Sequence, residues 1–367
     1  MSYDAFWEEL SWAYPISKGE LRLPIATHCL EVSGFDIDVY RPQFEAIIEE
    51  LISSVESIGR DTIATKNAQA EIIPFLSWNY TGVVRFDCMI DTRWALKIIE
   101  INADYPDGLL LHDYTYGLLT GDTAYRGNHR AYEQFFRKDE TTFIAIPKDA
   151  FFLDAYYGEY FFLKNMGYPV YIGSYDVLTR DGESLMCEWH TIHHIRRCVE
   201  VGKMTSDDAE RLRWARVRYT NSFDLRILWL KDNLALIDHP LIPKTIEITD
   251  ENWWDFITEK DMWVIKPTNM FEGHGVYIWR DHSDDDWRGF LMKHKNETYI
   301  AQEFVEVSRV SMEFYDEWGI KGRDVYFDVC PHFFVVDGKI VEQWVTLVRY
   351  SENKILNVAQ GGWIGYI

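Results

Sequence analysis

Arg85-Phe-Asp87 and Glu100-Ile-Asn102 sit in two apolar segments, VVRFDCMI and LKIIEIN, with Asp87 and Glu100 thirteen positions apart. Within each segment the polar residues are spaced by two, so in a β-strand both point to one face. Two carboxylates and a carboxamide gathered there form a hard, oxygen-only, partly charged site. Such a site suits Mg²⁺ when the ion must keep room for water and phosphate oxygens. Arg85 adds a fixed cation able to hold a phosphoryl oxygen. The plain alternative is a hairpin with a solvated acidic face, and a lone Glu-x-Asn does not separate the two.

The stretch MWVIKPTNMFEGHG (262–275) runs an apolar strand into Lys266 and then into a loop carrying Gly273 and Gly275. A lysine at the end of a buried strand is costly unless something anionic meets it. Backbone NH groups in a Gly-x-Gly turn approach phosphate oxygens closely because no Cβ intervenes. Further on, YIAQEFVE (299–306) supplies an apolar strand ending in Gln302, Glu303 and Val305, suited to the edge and face of an adenine. No GxxxxGK[ST] and no strand-GxGxxG-helix occurs, so neither a P-loop nor a dinucleotide fold is indicated.

Together these stretches resemble the ATP-grasp superfamily. The usual order puts the strand lysine, glycine lid and adenine strand first and RxD…ExN last; here Arg85-x-Asp87 and Glu100-x-Asn102 precede Lys266. The inverted order resembles the circularly permuted ATP-grasp ligases, which include glutathionylspermidine synthetase and eukaryotic-type glutathione synthetase. Three further stretches are similar to that pattern: TIHHIRRC (191–198) after an Asp181-Gly182 turn, ILWLKDNLALIDHPLIPKT (227–245) carrying Lys231, and the C-terminal VRYSENKILNVAQGGWIGYI carrying Arg349. The resemblance spans roughly 80–110 and 140–367.

It implies an α+β fold, a circularly permuted ATP-grasp core with a pre-ATP-grasp α/β subdomain. It also implies ATP and Mg²⁺, with metal on Asp87, Glu100 and Asn102. Lys231 and Lys266 would grip the phosphates under a 269–275 lid closed by Gly273 and Gly275. Gln302, Glu303 and Val305 would line the adenine. Arg85 would face the transferring group, and Arg349 the phosphate or substrate carboxylate. The implied reaction joins a small-molecule carboxylate to an amine through an acylphosphate. A small-molecule kinase on the same fold, a nucleotide-binding scaffold without catalysis, and a protein that binds no nucleotide remain open.

Composition fits a large enzyme. The chain has 367 residues, 47% hydrophobic and 16% aromatic, enough for a substantial core and against disorder. A net charge of −22 argues against nucleic acid and against anionic membrane surfaces, while leaving room for a cationic substrate. No long uncharged apolar run occurs; DAFFLDAYYGEYFFLKNMGY is interrupted by Asp154, Glu159 and Lys164. The acidic, aromatic start and five cysteines without close pairing lead to the expectation of a cytoplasmic protein.

Periodicity organises the chain. Phe44, Ile47, Ile48, Leu51 and Val55 predict a helix ending near Gly59. Residues 141–190 read strand, helix, strand, a βαβ-like unit, and 207–219 read as a charged surface helix. Asp337-Gly338 predicts a hairpin turn. The expected division is 1–75, a segment without a motif; 76–135, the metal strands; 136–230, the pre-ATP-grasp-like unit; 231–305, the nucleotide lid; and 306–367, the return to the core. Cys187, His190, His193, His194 and Cys198 match no zinc spacing. Arg196 and Arg197 are further candidates for ligand contact, and being adjacent on a strand they face opposite ways, so only one can enter a site. Cys88 is expected to be a core thiol. Glu272, Asp104 and Asp107 are further candidates for metal or amine contact, with turn formation as the competing role.

Overall fold

The computed structural model describes residues 25–31, 36–66, 70–104, 106, 109–121, 133–149, 153–253, 255–268, 270, 273–278, 280, 282–294, 298–316, 318–344, 346–356 and 362–367. A nine-stranded sheet forms its centre. The hairpin Gly82–Ile90 and Leu96–Asn102 pairs antiparallel with Arg85 opposite Asn102 and Asp87 opposite Glu100. The other edge of Gly82–Ile90 is met by His332–Val336 and by the end of Gly319–Cys330, so this strand lies inside the sheet. Leu347–Ser351 and Trp363–Tyr366 follow Gly319–Cys330 outward. Ile25–Ala26 joins the same sheet between Trp363–Tyr366 and Arg309–Asp316.

The two faces of this sheet have different tasks. Phe86, Cys88 and Ile90 point into a core closed by the helix Arg41–Ile58, whose buried residues are Phe44, Ile47, Ile48, Leu51 and Val55. Phe44 sits 4.6 Å from Phe86 and 5.1 Å from Phe333, ring centre to ring centre. The helix stops at Gly59, where φ is 95°. The opposite face carries Arg85, Asp87, Glu100 and Asn102, the alternation expected of the strand period. The 332–343 hairpin turns at Asp337 and Gly338, with φ of 49° and 80°, the left-handed pair that suits a twisted two-residue turn.

Two smaller units flank the sheet. Thr142–Ala145, Val170–Gly173, His194–Arg197 and Arg218–Thr220 pair parallel throughout, with helix Leu153–Asn165 crossing over between the first two. The βαβ pattern expected for 141–190 is therefore present. A four-stranded antiparallel sheet of Thr245–Glu247, Tyr299–Glu303, Trp263–Pro267 and Tyr277–Ile278 carries Lys266, with helix Asp284–His294 attached.

One expected element is shorter than its sequence pattern. The charged helix covers Ser206–Leu212, capped by a reciprocal Thr205–Asp208 box, and does not run to 219. Arg213 leaves the helix with ψ of 131°, Trp214 follows with φ of 69°, and Arg218–Thr220 is drawn into the parallel sheet beside His194–Arg197. Tertiary pairing overrides local helix preference there.

Gly82 opens the strand that carries the site. A Cβ at this position would lie 2.7 Å from the Asn221 backbone nitrogen and 2.8 Å from its Cα. Backbone cannot yield as a flexible side chain does, so Gly82→Ala should lower unfolding free energy by about 1–3 kcal/mol, the range for overpacking a close contact. Chemical denaturation of the variant against the parent checks this; an unchanged midpoint would show that the two segments separate freely.

Candidate active site

Asp87 is the meeting point of the polar face. Its Oδ1 accepts from Arg85 Nε at 2.6 Å, and its Oδ2 from Arg85 Nη2 at 3.1 Å, Asn102 Nδ2 at 3.0 Å and Arg349 Nη2 at 2.8 Å. Arg349 reaches it from a strand two places away, Leu347–Ser351. Burial alone would raise the Asp87 carboxyl, but the guanidinium groups of Arg349 and Arg85 outweigh it and hold the acid well below the ordinary carboxylate range. Asp87 is therefore an anion at any physiological pH.

Arg349 has a second partner that the sequence reading missed. Its Nε donates to both Asp328 oxygens at 3.1 Å, and Nη2 also donates to Asp328 Oδ2. Asp328 is fully buried in Gly319–Cys330 and lies directly opposite Arg349 in the ladder. In VYFDVC it looks like one polar interruption in a core strand; its register against Arg349 is the signal that reveals it.

The lysines approach Glu100 from the other side. Lys231 Nζ stands 3.1 Å from Glu100 Oε1 and donates to the Met270 carbonyl. Lys266 Nζ donates to Gln302 Oε1 at 2.7 Å and to the Ile99 carbonyl at 3.2 Å. Burial, with Lys231 nearby, lowers the Lys266 ammonium to about 8, although Glu100 and Asp87 pull the other way. Gln302 is itself buried and donates to Thr245 Oγ1 at 3.0 Å, so its side chain is engaged by the lysine and by its neighbouring strand. Glu303 is exposed and Val305 half-buried at the end of the same strand. Gly273 and Gly275 have φ of 69° and 72° in the turn that follows Lys266. Asn269, Phe271 and Glu272 lie outside the described residues, as does Asp107.

The structure thus links Arg85, Asp87, Asn102, Arg349 and Asp328 by hydrogen bonds, and sets the Lys231–Glu100 pair and Lys266 alongside, with Glu100 opposite Asp87 in the ladder. Four cations face three carboxylates there. Among the described residues, no three His, Cys, Asp or Glu side chains gather as a metal cage. Asp87, Glu100 and the Asn102 carboxamide nevertheless fit a hard dication that completes its shell with water and phosphate oxygens, since the two carboxylates face each other across the hairpin and Asp87 stays ionised.

Other candidates have structural partners. Both Arg196 and Arg197 turn inward. Arg196 bonds Glu159 and Asn221, while Arg197 is held by the backbone carbonyls of Asn221, Val199, Asp104 and Ser222 and by the Asp104 carboxylate. Each guanidinium is engaged by this buried network, which gives both arginines a structural role. Asp104 serves that network and approaches Arg226 as well. His194 is fully buried between Thr142 Oγ1 at 3.1 Å and Thr220 Oγ1 at 2.8 Å. Cys187 and Cys198 lie in different core clusters, and all five cysteines are free. Cys88 is buried on the core face, away from Asp87.

Two histidines beside Arg85 were also missed. His332 lies opposite Arg85 in the ladder and is fully buried, with no well-formed hydrogen bond to either ring nitrogen among the described residues. His112 lies 6.2 Å from it and meets Tyr366 Oη at 3.1 Å. Burial, with Arg85 adding to it, pushes His112 down to about 3 and His332 well below the ordinary histidine value, so both rings are neutral.

No protein-family model and no curated protein matches this chain. Among solved structures, it is similar to a glutathione synthetase-like effector from Globodera pallida in its apo form. The TM-score is 0.64 at 9% sequence identity, covering 100% of this chain and 96% of that one. Identity that low carries the fold alone: a mixed α/β architecture shared with a glutathione synthetase-like protein. No helix among the described residues is long and apolar enough to cross a membrane.

Lys266 yields a pH test. Its folded value of about 8 lies below the ordinary 10.5, so between these values the unfolded chain holds a proton that the folded one has released. Stability in the absence of ligand should therefore rise with pH across that window, and Lys266→Met should flatten the rise. Affinity for inorganic triphosphate should move in the opposite direction, falling above pH ~8 as the ammonium is lost. Calorimetry across pH 7–10 in the parent and in Lys266→Met measures both effects; pH-independent affinity in the parent would exclude Lys266 from the anion site.

Proposed function

We propose that this chain is an ATP-dependent carboxylate–amine ligase of the permuted ATP-grasp type, forming an amide or peptide bond through an acylphosphate. The observation that carries the reading is the convergence of Lys231, Lys266, Arg85 and Arg349 on the Asp87–Glu100–Asn102 face. The shared fold with a glutathione synthetase-like protein supports it.

In this reading Lys231 and Lys266 hold the inner phosphates of ATP, and the turn at Gly273 and Gly275 closes over them. Asp87, Glu100 and Asn102 would hold Mg²⁺, and the ion would supply neutralisation of phosphate charge. Arg85 and Arg349 meet the terminal phosphoryl group, where negative charge spreads during transfer. A substrate carboxylate attacks that phosphorus, ADP leaves, and an amine then displaces phosphate from the acyl carbon. The protein's work is positioning and charge compensation. Keeping the acylphosphate from water falls to the lid. Gln302 orients Lys266, and the strand beyond it, at Glu303 and Val305, borders the base.

Glu100→Gln removes one metal charge at constant volume from a side chain that retains some solvent contact. It should reduce ADP formation by at least about a hundredfold while leaving the melting temperature within a few degrees, because Lys231 loses only one of its partners. The assay is ADP release with Mg·ATP across amino acids, short peptides and polyamines as carboxylate and amine partners. Turnover in Glu100→Gln near that of the parent would remove Glu100 from the metal site. A stable phosphorylated product with no amine consumed would point to a kinase instead.

Loss of Lys231 tests the nucleotide side independently. Lys231→Ala should weaken ATP binding by about 2–3 kcal/mol, the range for losing a hydrogen bond between charged groups. Calorimetric titration reads this directly. Unchanged affinity in both Lys231→Ala and Lys266→Ala would end the ATP-grasp reading.

A further inference from the structure

Arg349 is the only guanidinium of the site shared between two carboxylates among the described residues, and its two partners are held differently. Asp328 grips it through Nε and Nη2 from the directly opposed ladder position, in a strand paired on both sides. That strand is central, and Asp328 is fully buried. Asp87 takes a single bond, from Nη2, and stands where the ladder register shifts between Asp87 and Cys88. A β-bulge loosens local pairing and re-aims a side chain, and bulges are common beside active sites. Arg349 Nη1 meets no acceptor among the described residues.

The two carboxylates therefore cannot serve the same purpose once ligand arrives. A dication on Asp87 repels the Arg349 guanidinium and competes for the same Oδ2. With Asp87 as sole partner, Arg349 would be left as an uncompensated buried cation at the moment it is needed, and such a charge is displaced toward solvent. Asp328 removes that problem. It neutralises Arg349 and fixes its plane through Nε, leaving Nη1 and, after exchange, Nη2 for a phosphoryl oxygen or the substrate carboxylate.

We propose that Asp328 is a positioning residue: it anchors Arg349 through the exchange in which Asp87 gives up the arginine to take the metal–nucleotide. Asp87 then acts as a placeholder that compensates Arg349 and Arg85 before ligand binds. This proposal rests on the ligase reading and adds to it a residue with no ligand contact of its own and a defined order of partner exchange.

The test compares Asp328→Asn, Asp328→Glu, Arg349→Gln and the double variant Asp328→Asn/Arg349→Gln in full-length protein. Steady-state ADP formation gives kcat and KM for Mg·ATP, calorimetry gives Mg·ATP affinity, and thermal melting without ligand reports folding. Asp328→Asn should cut kcat by at least about tenfold with affinity changed less than about threefold, the pattern of an interaction lost mainly in the transition state. Asp328→Glu, which keeps the charge, should recover part of that rate. The double variant should be no slower than Arg349→Gln alone, because one residue acts through the other. Should Asp328→Asn fold too poorly to assay, Asp328→Glu carries the test: reduced kcat at parental affinity supports the anchor.

Parental kcat in Asp328→Asn, or in Asp328→Glu where that variant carries the test alone, losses that multiply in the double variant, or affinity that falls in step with kcat would overturn the proposal while leaving the ligase reading intact. If the parent neither binds nor turns over Mg·ATP, the ligase reading fails first and the anchor with it.

Discussion

Charge compensation at Asp87 is the constraint on which the site is built. One carboxylate in the middle of a nine-stranded sheet receives four hydrogen bonds, three of them from guanidinium groups. Isolated, each of these ions would be too expensive to bury. As a network they tolerate a position backed by the tightly packed Phe44, Phe86 and Phe333 core. The apolar face secures the hairpin, which frees the polar face to hold groups that contribute little to stability. Buried ion pairs of this kind are weak evidence for stabilisation. Their persistence here is more readily explained by what they are placed to do.

The same network gives the site a local charge unlike the chain's net charge of −22. Its surplus of acid is spread over the whole molecule, and solvent ions screen such charge over about 8 Å at physiological salt. Arg85, Arg349, Lys231 and Lys266 are each mostly or fully buried, where screening is weak. The local field around Asp87 and Glu100 is therefore set by these four cations, and the global charge says little about the ligand.

Much of this arrangement was legible in the chain because it depends on short-range periodicity. A period of two put Arg85 with Asp87 and Glu100 with Asn102 on common faces, and the spacing of Phe44, Ile47, Ile48, Leu51 and Val55 outlined a helix and its buried side. Asp337-Gly338 announced its turn through backbone chemistry alone. What escaped depended on partners far away in sequence. Asp328 pairs with Arg349 twenty-one positions on, and His332 is defined by Arg85 across a non-consecutive strand pair. Arg196 and Arg197 looked available for ligand because nothing local marks Glu159, Asn221 and the Asp104 carbonyl as their acceptors. Residues 213–219 looked helical until a parallel partner strand claimed their end.

The histidines beside Arg85 show how far the logic of compensation extends. An imidazolium next to that guanidinium would repel it, and burial with Arg85 keeps both His112 and His332 neutral. A neutral ring still brings one donor and one acceptor. His112 uses Nδ1 with Tyr366, whereas His332 makes no well-formed bond among the described residues. A buried polar group left in that state costs about 1–3 kcal/mol, and apolar residues of similar size would avoid the cost. The sheet position opposite Arg85 thus carries a neutral ring without a well-formed hydrogen bond among the described residues. It lies on the side of the arginine away from the lysines, beyond Asp87. The polar face therefore has a strongly cationic end at Lys231, Lys266, Arg85 and Arg349 and a neutral end at His332 and His112, a difference in charge built across one face of one sheet.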